Sequence, residues 1–168
     1  MTGVSTQGPA AEPGVSGWEV RPARATDVPG VAAAVASLLE ELGATPPAIE
    51  AIEGEARAHI EDPSLGIVLV AAAHRDLVGV LTASWARAIQ VAGRLLTIEV
   101  LWTRREWRDR GVGAALVEAL AAAAAAEGTG RVEVGLPRES FAALRATERF
   151  YLANGFERLG PRMRRSVP

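Results

Sequence analysis

The chain contains no cysteine. That excludes disulfides, thiolate nucleophiles and Cys-ligated metals. It contains no lysine either, because all 18 basic residues are arginine. A Schiff-base enzyme needs a Lys amine, and a P-loop needs a Lys on its phosphates, so neither can operate with its usual machinery. Beside abundant Ala, Arg and Gly, that gap reads as a coding bias rather than as function. Histidine is limited to His59 and His74, too few for a multi-His site, and no metal is expected. Aromatics make up only 5%, and Tyr151 is the one tyrosine. No apolar run reaches the ~18 residues of a membrane span. The N-terminus lacks the basic and apolar regions of a secretory signal. Net charge is −2, from 18 basic and 20 acidic residues, which suggests no general affinity for nucleic acid. The expectation is a cytoplasmic protein with neither nucleic acid nor membrane as partner.

What is present suits one domain: 168 residues, 49% of them hydrophobic, although 33 are Ala. Met1 to Gly17 is rich in Gly, Pro, Ser, Thr and Ala and reads as a flexible tail. Residues 18–168 then form a single domain. A short strand starts at Trp18. Val28, Val31, Val35, Leu38 and Leu42 follow helical spacing, with Gly43 as the stop. Pro46 and Pro47 open a second helix, which Asp62-Pro63 ends. Strands are expected at Leu65–Ala72, Leu77–Ala86, Leu95–Thr103 and Arg131–Leu136, all apolar enough to be central. An Ala-rich helix runs from Val112 to Glu127, and a last helix covers Ala142 to Asn154. A pair of short strands, Phe156–Leu159 and Arg162–Arg165, closes the chain. The whole is one mixed α/β domain around a sheet.

Chemistry concentrates where the third long strand ends. Arg104 to Arg110 holds four Arg and two acids, and Gly111-Val112-Gly113-Ala114 opens the next helix. Glycine admits a ligand close to the backbone, and the first amides of a helix lack intrahelical partners. Aligned with the helix dipole, they form an anion site suited to a diphosphate.

Arg108-Asp-Arg-Gly-Val-Gly-Ala114 resembles the acyl-CoA diphosphate motif, Gln/Arg-x-x-Gly-x-Gly/Ala, of the GCN5-related N-acetyltransferase (GNAT) superfamily. Thr147 to Phe156, with Tyr151 four residues before Gly155-Phe156, is similar to that family's late helix. The order of elements agrees from Trp18 to Arg165. The resemblance implies a mostly antiparallel sheet flanked by about four helices, with a splayed strand pair holding acyl-CoA. It implies acetyl-CoA as donor, a primary amine as acceptor and, as is common among such proteins, a homodimer. Backbone groups of Leu101 and Thr103 would hold the pantetheine arm, the Leu101 amide facing the thioester oxygen. The amides of Arg110, Gly111, Val112, Gly113 and Ala114, with Arg108, would hold the diphosphate. Leu144 stands where many members carry a CoA-touching Asn; Thr103 replaces a common Val and Arg105 a common Pro.

An alkyl amine, with a pKa near 10.4, is neutral in only about 1 molecule in 2,500 at pH 7, so a general base is valuable. Strand alternation puts Glu99 on the face of Leu101 and Thr103, and its position matches a base in polyamine-type members. Tyr151 occupies the family's general-acid position, where a phenol can donate to the leaving thiolate. Two rivals remain: a non-catalytic acyl-CoA-binding module, and a dinucleotide-binding oxidoreductase built on Gly111 and Gly113, in which Leu116 would replace the third Gly.

Overall fold

The computed structural model describes residues 17–160. The proposed tail up to residue 16 and the second terminal strand, 162–165, lie outside the described residues. The elements run β1 (Glu19–Pro22), α1 (Val28–Glu41), α2 (Ile49–Glu61), β2 (Gly66–Ala73), β3 (Asp76–Ala88), β4 (Gly93–Thr103), α3 (Val112–Ala126), β5 (Val132–Val134) and α4 (Leu144–Ala153). The sheet order is β1-β2-β3-β4-β5. Every pair is antiparallel except β4–β5. A dinucleotide fold needs a mostly parallel sheet, so the oxidoreductase reading does not fit this topology.

Apolar side chains leave both faces of the sheet, because β2, β3 and β4 carry continuous hydrophobic runs rather than strict alternation. One face carries Val68, Val70 and Val80, which pack with Val28, Val31 and Ala34 of α1 and Ala56 of α2. The other carries Leu69, Leu81, Leu96 and Ile98, against Val112, Leu116 and Leu120 of α3 and Tyr151 of α4. Leu81, Leu96, Leu116 and Leu120 are fully buried, each worth about 1.5–3 kcal/mol. Gly79 lets α3 sit close: a Cβ there would lie 2.7 Å from Val112 and 2.9 Å from Leu116. Arg21 and Asp27 join β1 to the start of α1 at 2.7 Å, and the Asp27 carboxylate also accepts from the Arg24 amide.

Two expectations are corrected. Among the described residues β5 is three residues long and lies at one end of the sheet, shorter than the strand expected over Arg131–Leu136. It pairs only with Leu96, Thr97 and Ile98, after which β4 offers it no partner. Among the described residues Phe156–Leu159 takes part in no strand. Phe156 instead lays its ring edge-on to Tyr151, with centroids 5.2 Å apart, and Arg158 pairs with Glu148.

Candidate functional site

The open end of the sheet begins at Glu99. Ala83 pairs with Ile98 and Thr82 with Val100, so Glu99 is an extra residue in β4. Such a bulge breaks the two-residue period. Its effect is visible in the hydrogen bonds. The Leu96 amide points to β5, reaching the Arg131 carbonyl at 3.1 Å, whereas the Arg104 amide points to β3, reaching the Val78 carbonyl at 2.9 Å. Both residue numbers are even, so the parity reverses between them. Beyond the bulge, Leu101 and Thr103 therefore turn their backbone groups away from β3, past the last β4–β5 pair. Side chains follow the same switch, since Leu101 packs on the same core as Ile98. Alternation counted along the sequence fails at this point. Glu99 itself is exposed.

The helix start is built by conformation and by packing. Gly111 caps α3 with φ 80°, in the left-handed region that favours glycine. Asp109 is also left-handed, at φ 59°. The first closed helical bond runs from the Ala115 amide to the Gly111 carbonyl, and the amides before it lie in the unpaired first turn. Gly113 has a different reason to be small. A Cβ there would lie 3.3 Å from the Phe150 ring and 3.8 Å from Thr103 Oγ1. Val112 buries its side chain in the core, and Ala114 is half-buried. Arg110 lies over the Trp107 ring at 5.2 Å. Arg108 donates from Nε to the Thr103 carbonyl at 3.1 Å and from Nη2 to Glu41.

Tyr151 is 7% exposed, its ring edge-on to Phe150 and Phe156. Burial pushes its phenol up to about 12. No hydrogen bond to the hydroxyl is present among the described residues, yet it is not a sealed, unsatisfied atom, so it keeps access to solvent. The packing thus joins Leu101, Val112 and Tyr151 in one cluster, with Thr103 and Gly113 adjoining; Glu99 lies outside it. Trp102 packs on the α1 face, and Trp85 donates to the Pro63 carbonyl at 3.2 Å. A cleft of about 550 Å³, lined by Arg21, Arg75, Trp102 and Arg104 among others, opens on the α1 side.

Sequence reasoning missed Phe150, which closes on Gly113, and the role of Glu41 as partner of Arg108. Nothing in the sequence pairs positions 67 residues apart.

Residues 64–158 match the acetyltransferase (GNAT) domain. No curated protein matches the chain. Among solved structures, a Clostridium acetobutylicum protein described as a predicted acetyltransferase, with acetyl-CoA, aligns at 13% identity and TM-score 0.73, covering 89% of this chain and 96% of its own. An aminoglycoside acetyltransferase from an uncultured soil metagenomic sample, in complex with trehalose, aligns at 17% identity and TM-score 0.70, covering 90% and 97%. Ribosomal-protein-alanine N-acetyltransferase from Brucella melitensis biovar Abortus 2308 aligns at 16% identity and TM-score 0.69, covering 90% and 99%. At these identities the likeness is one of fold. The matched domain spans more than half of the sequence and includes both the Gly111–Gly113 helix start and the Tyr151 helix, and the chain belongs to the GNAT acetyltransferase family.

Proposed function

We propose that the protein is an N-acetyltransferase that moves the acetyl group of acetyl-CoA to a primary amine by direct attack. The observation that carries this reading is the outward-facing backbone of Leu101 and Thr103 at an edge where β5 has already ended. The amides of a pantetheine arm can complete such an edge much as another strand would. The diphosphate then meets the first amides of α3, where the helix dipole favours negative charge.

In this geometry the amine nitrogen bonds to the thioester carbon, and the C–S bond breaks. The Leu101 amide donates to the oxygen on which negative charge develops. Glu99 takes the ammonium proton, directly or through water. The Tyr151 hydroxyl donates to the departing thiolate. With the phenol at about 12 and a thiol near 8.5, complete transfer is uphill by about 5 kcal/mol. Its contribution is therefore a hydrogen bond to the thiolate rather than an early proton transfer.

A thiol-release assay with acetyl-CoA tests the reaction. Aminoglycosides and peptide N-termini, acceptors suggested by two structural neighbours, belong in the panel beside small polyamines and amino acids. Saturable release with at least one amine is expected. CoA binding without release on any amine would favour the acyl-CoA-binding module, and no CoA binding would remove both readings.

A further inference from the structure

The resemblance places Arg108 on the diphosphate, but the structure engages two of its nitrogens elsewhere. Nε donates to the Thr103 carbonyl at 3.1 Å, and Nη2 reaches both oxygens of Glu41 at 2.7 and 2.8 Å. Thr103 ends the open half of β4, Arg108 begins the turn into α3, and Glu41 is the last residue of α1. One guanidinium therefore ties the strand end and the loop to a helix that packs on the other face of the sheet.

The loop has reason to be held. Asp109 takes a positive φ of 59°, a conformation uncommon for a residue with a side chain. The same turn sets the direction of the amides that follow it. An exposed ion pair contributes little energy by itself. Contact of Nη2 with both oxygens of one carboxylate nevertheless holds that end of the guanidinium, and Nε holds the Thr103 carbonyl at the same time.

We infer that Glu41 is a positioning residue for the coenzyme: it holds Arg108, and Arg108 holds the turn that presents the amides of Gly111 to Ala114 to the diphosphate. This rests on the acetyl-CoA reading above. Arg108 then works mainly as a brace. The contrasting arrangement is a latch, in which Glu41 competes with the diphosphate for Arg108. The two differ in sign, because breaking a brace weakens CoA binding and breaking a latch tightens it.

The test compares wild type, Glu41→Gln, Arg108→Ala and the double variant, using calorimetry with CoA and turnover with acetyl-CoA and with S-acetylpantetheine, which has no diphosphate. Glu41→Gln should raise the Kd for CoA and the KM for acetyl-CoA about threefold to fivefold, the scale of one exposed ion pair. The kcat should stay within about twofold, and S-acetylpantetheine turnover should fall less than acetyl-CoA turnover, because the brace acts mainly on the diphosphate end although Arg108 also holds the Thr103 carbonyl. The double variant should be no worse than Arg108→Ala. Unchanged or tighter CoA binding in Glu41→Gln, additive losses, or an equal loss with S-acetylpantetheine would each overturn the inference. The pantetheine arm also reports any general loss of folded protein. Wild type that binds no CoA removes the coenzyme reading and the brace together; normal wild-type binding with an indifferent Glu41→Gln removes the brace alone.

Discussion

Up to Ile98, β4 buries Leu95, Leu96 and Ile98, and from Leu96 to Ile98 it lies between β3 and β5. Between Val100 and Thr103 it is bonded to β3 alone, and none of its side chains is fully buried. The halves meet at Glu99, where the bulge also changes which residues offer their backbone to the open side. One strand thus separates stability from chemistry along its length. Its first half is held by packing. Its second half turns the peptide groups of Leu101 and Thr103 away from β3, where only the Thr103 carbonyl is taken, by Arg108, among the described residues.

The sharpest way to break that division is Leu101→Pro. The Leu101 amide faces away from β3, so proline removes a donor without costing a ladder bond, as on any unpaired edge. The fold should survive while kcat falls about 10²–10³-fold, the usual effect of losing one oxyanion donor. A normal kcat would remove the Leu101 amide from catalysis, and Leu101→Ala, which keeps the amide, separates that loss from the loss of the side chain's packing on the core. Leu96→Ala asks the opposite question of the closed half. Leu96 is fully buried, so the cavity should destabilise the protein by about 2–5 kcal/mol, lowering the melting temperature by roughly 5–20 °C. Below the transition, kcat and the KM for acetyl-CoA should stay close to wild type. A large kinetic defect there would show that the two halves are not separable.

The elements around this division were legible in the sequence, but the division itself was not, and that has a physical reason. The limits of β2 and β3 follow from apolar runs broken by polar turns, and Gly111 declares itself because the turn needs a positive φ. The bulge is different. A strand shows it only against its partner, and nothing local in Thr97-Ile98-Glu99-Val100 marks an unpaired residue. The short β5 has the same origin, since its length is set by where β4 stops pairing rather than by Val132, Val134 and Leu136. Gly113 reads as a ligand contact in the motif, whereas the structure also makes it the seat of Phe150, a contact between two helices that sequence spacing cannot show.

Tyr151→Phe tests whether the closed core supplies chemistry to the open half. The ring contacts with Phe150 and Phe156 remain, so stability should change by less than about 1 kcal/mol. The rate should fall roughly tenfold, less than the 10²–10⁴ of a well-matched acid, because the phenol sits far above a thiol. The pH behaviour is specific. With the folded pKa raised to about 12, the hydroxyl stays protonated across the assay range, so the wild-type-to-variant rate ratio should be flat from about pH 6 to 10. For stability the sign is that of a raised pKa: full benefit below the unfolded value near 10, lost as pH climbs from about 10 to 12. Tyr151→Phe should abolish that alkaline loss.

Glu99→Gln is the smallest effect and bears directly on the hinge of the comparison. The side chain is exposed and no contact ties it to Leu101 or Tyr151, so its value as a base depends on where the bulge lets it swing. A fewfold to tenfold loss in kcat/KM is expected near pH 7, at the weak end of general-base effects. The deficit should shrink as pH approaches the amine pKa near 10.4, because the free base then forms without help. A pH-independent loss would mean that Glu99 only orients the acceptor. No loss at any pH would leave the bulge with a purely geometric task, setting Leu101 and Thr103 outward, and the base would have to be sought on another element facing the groove.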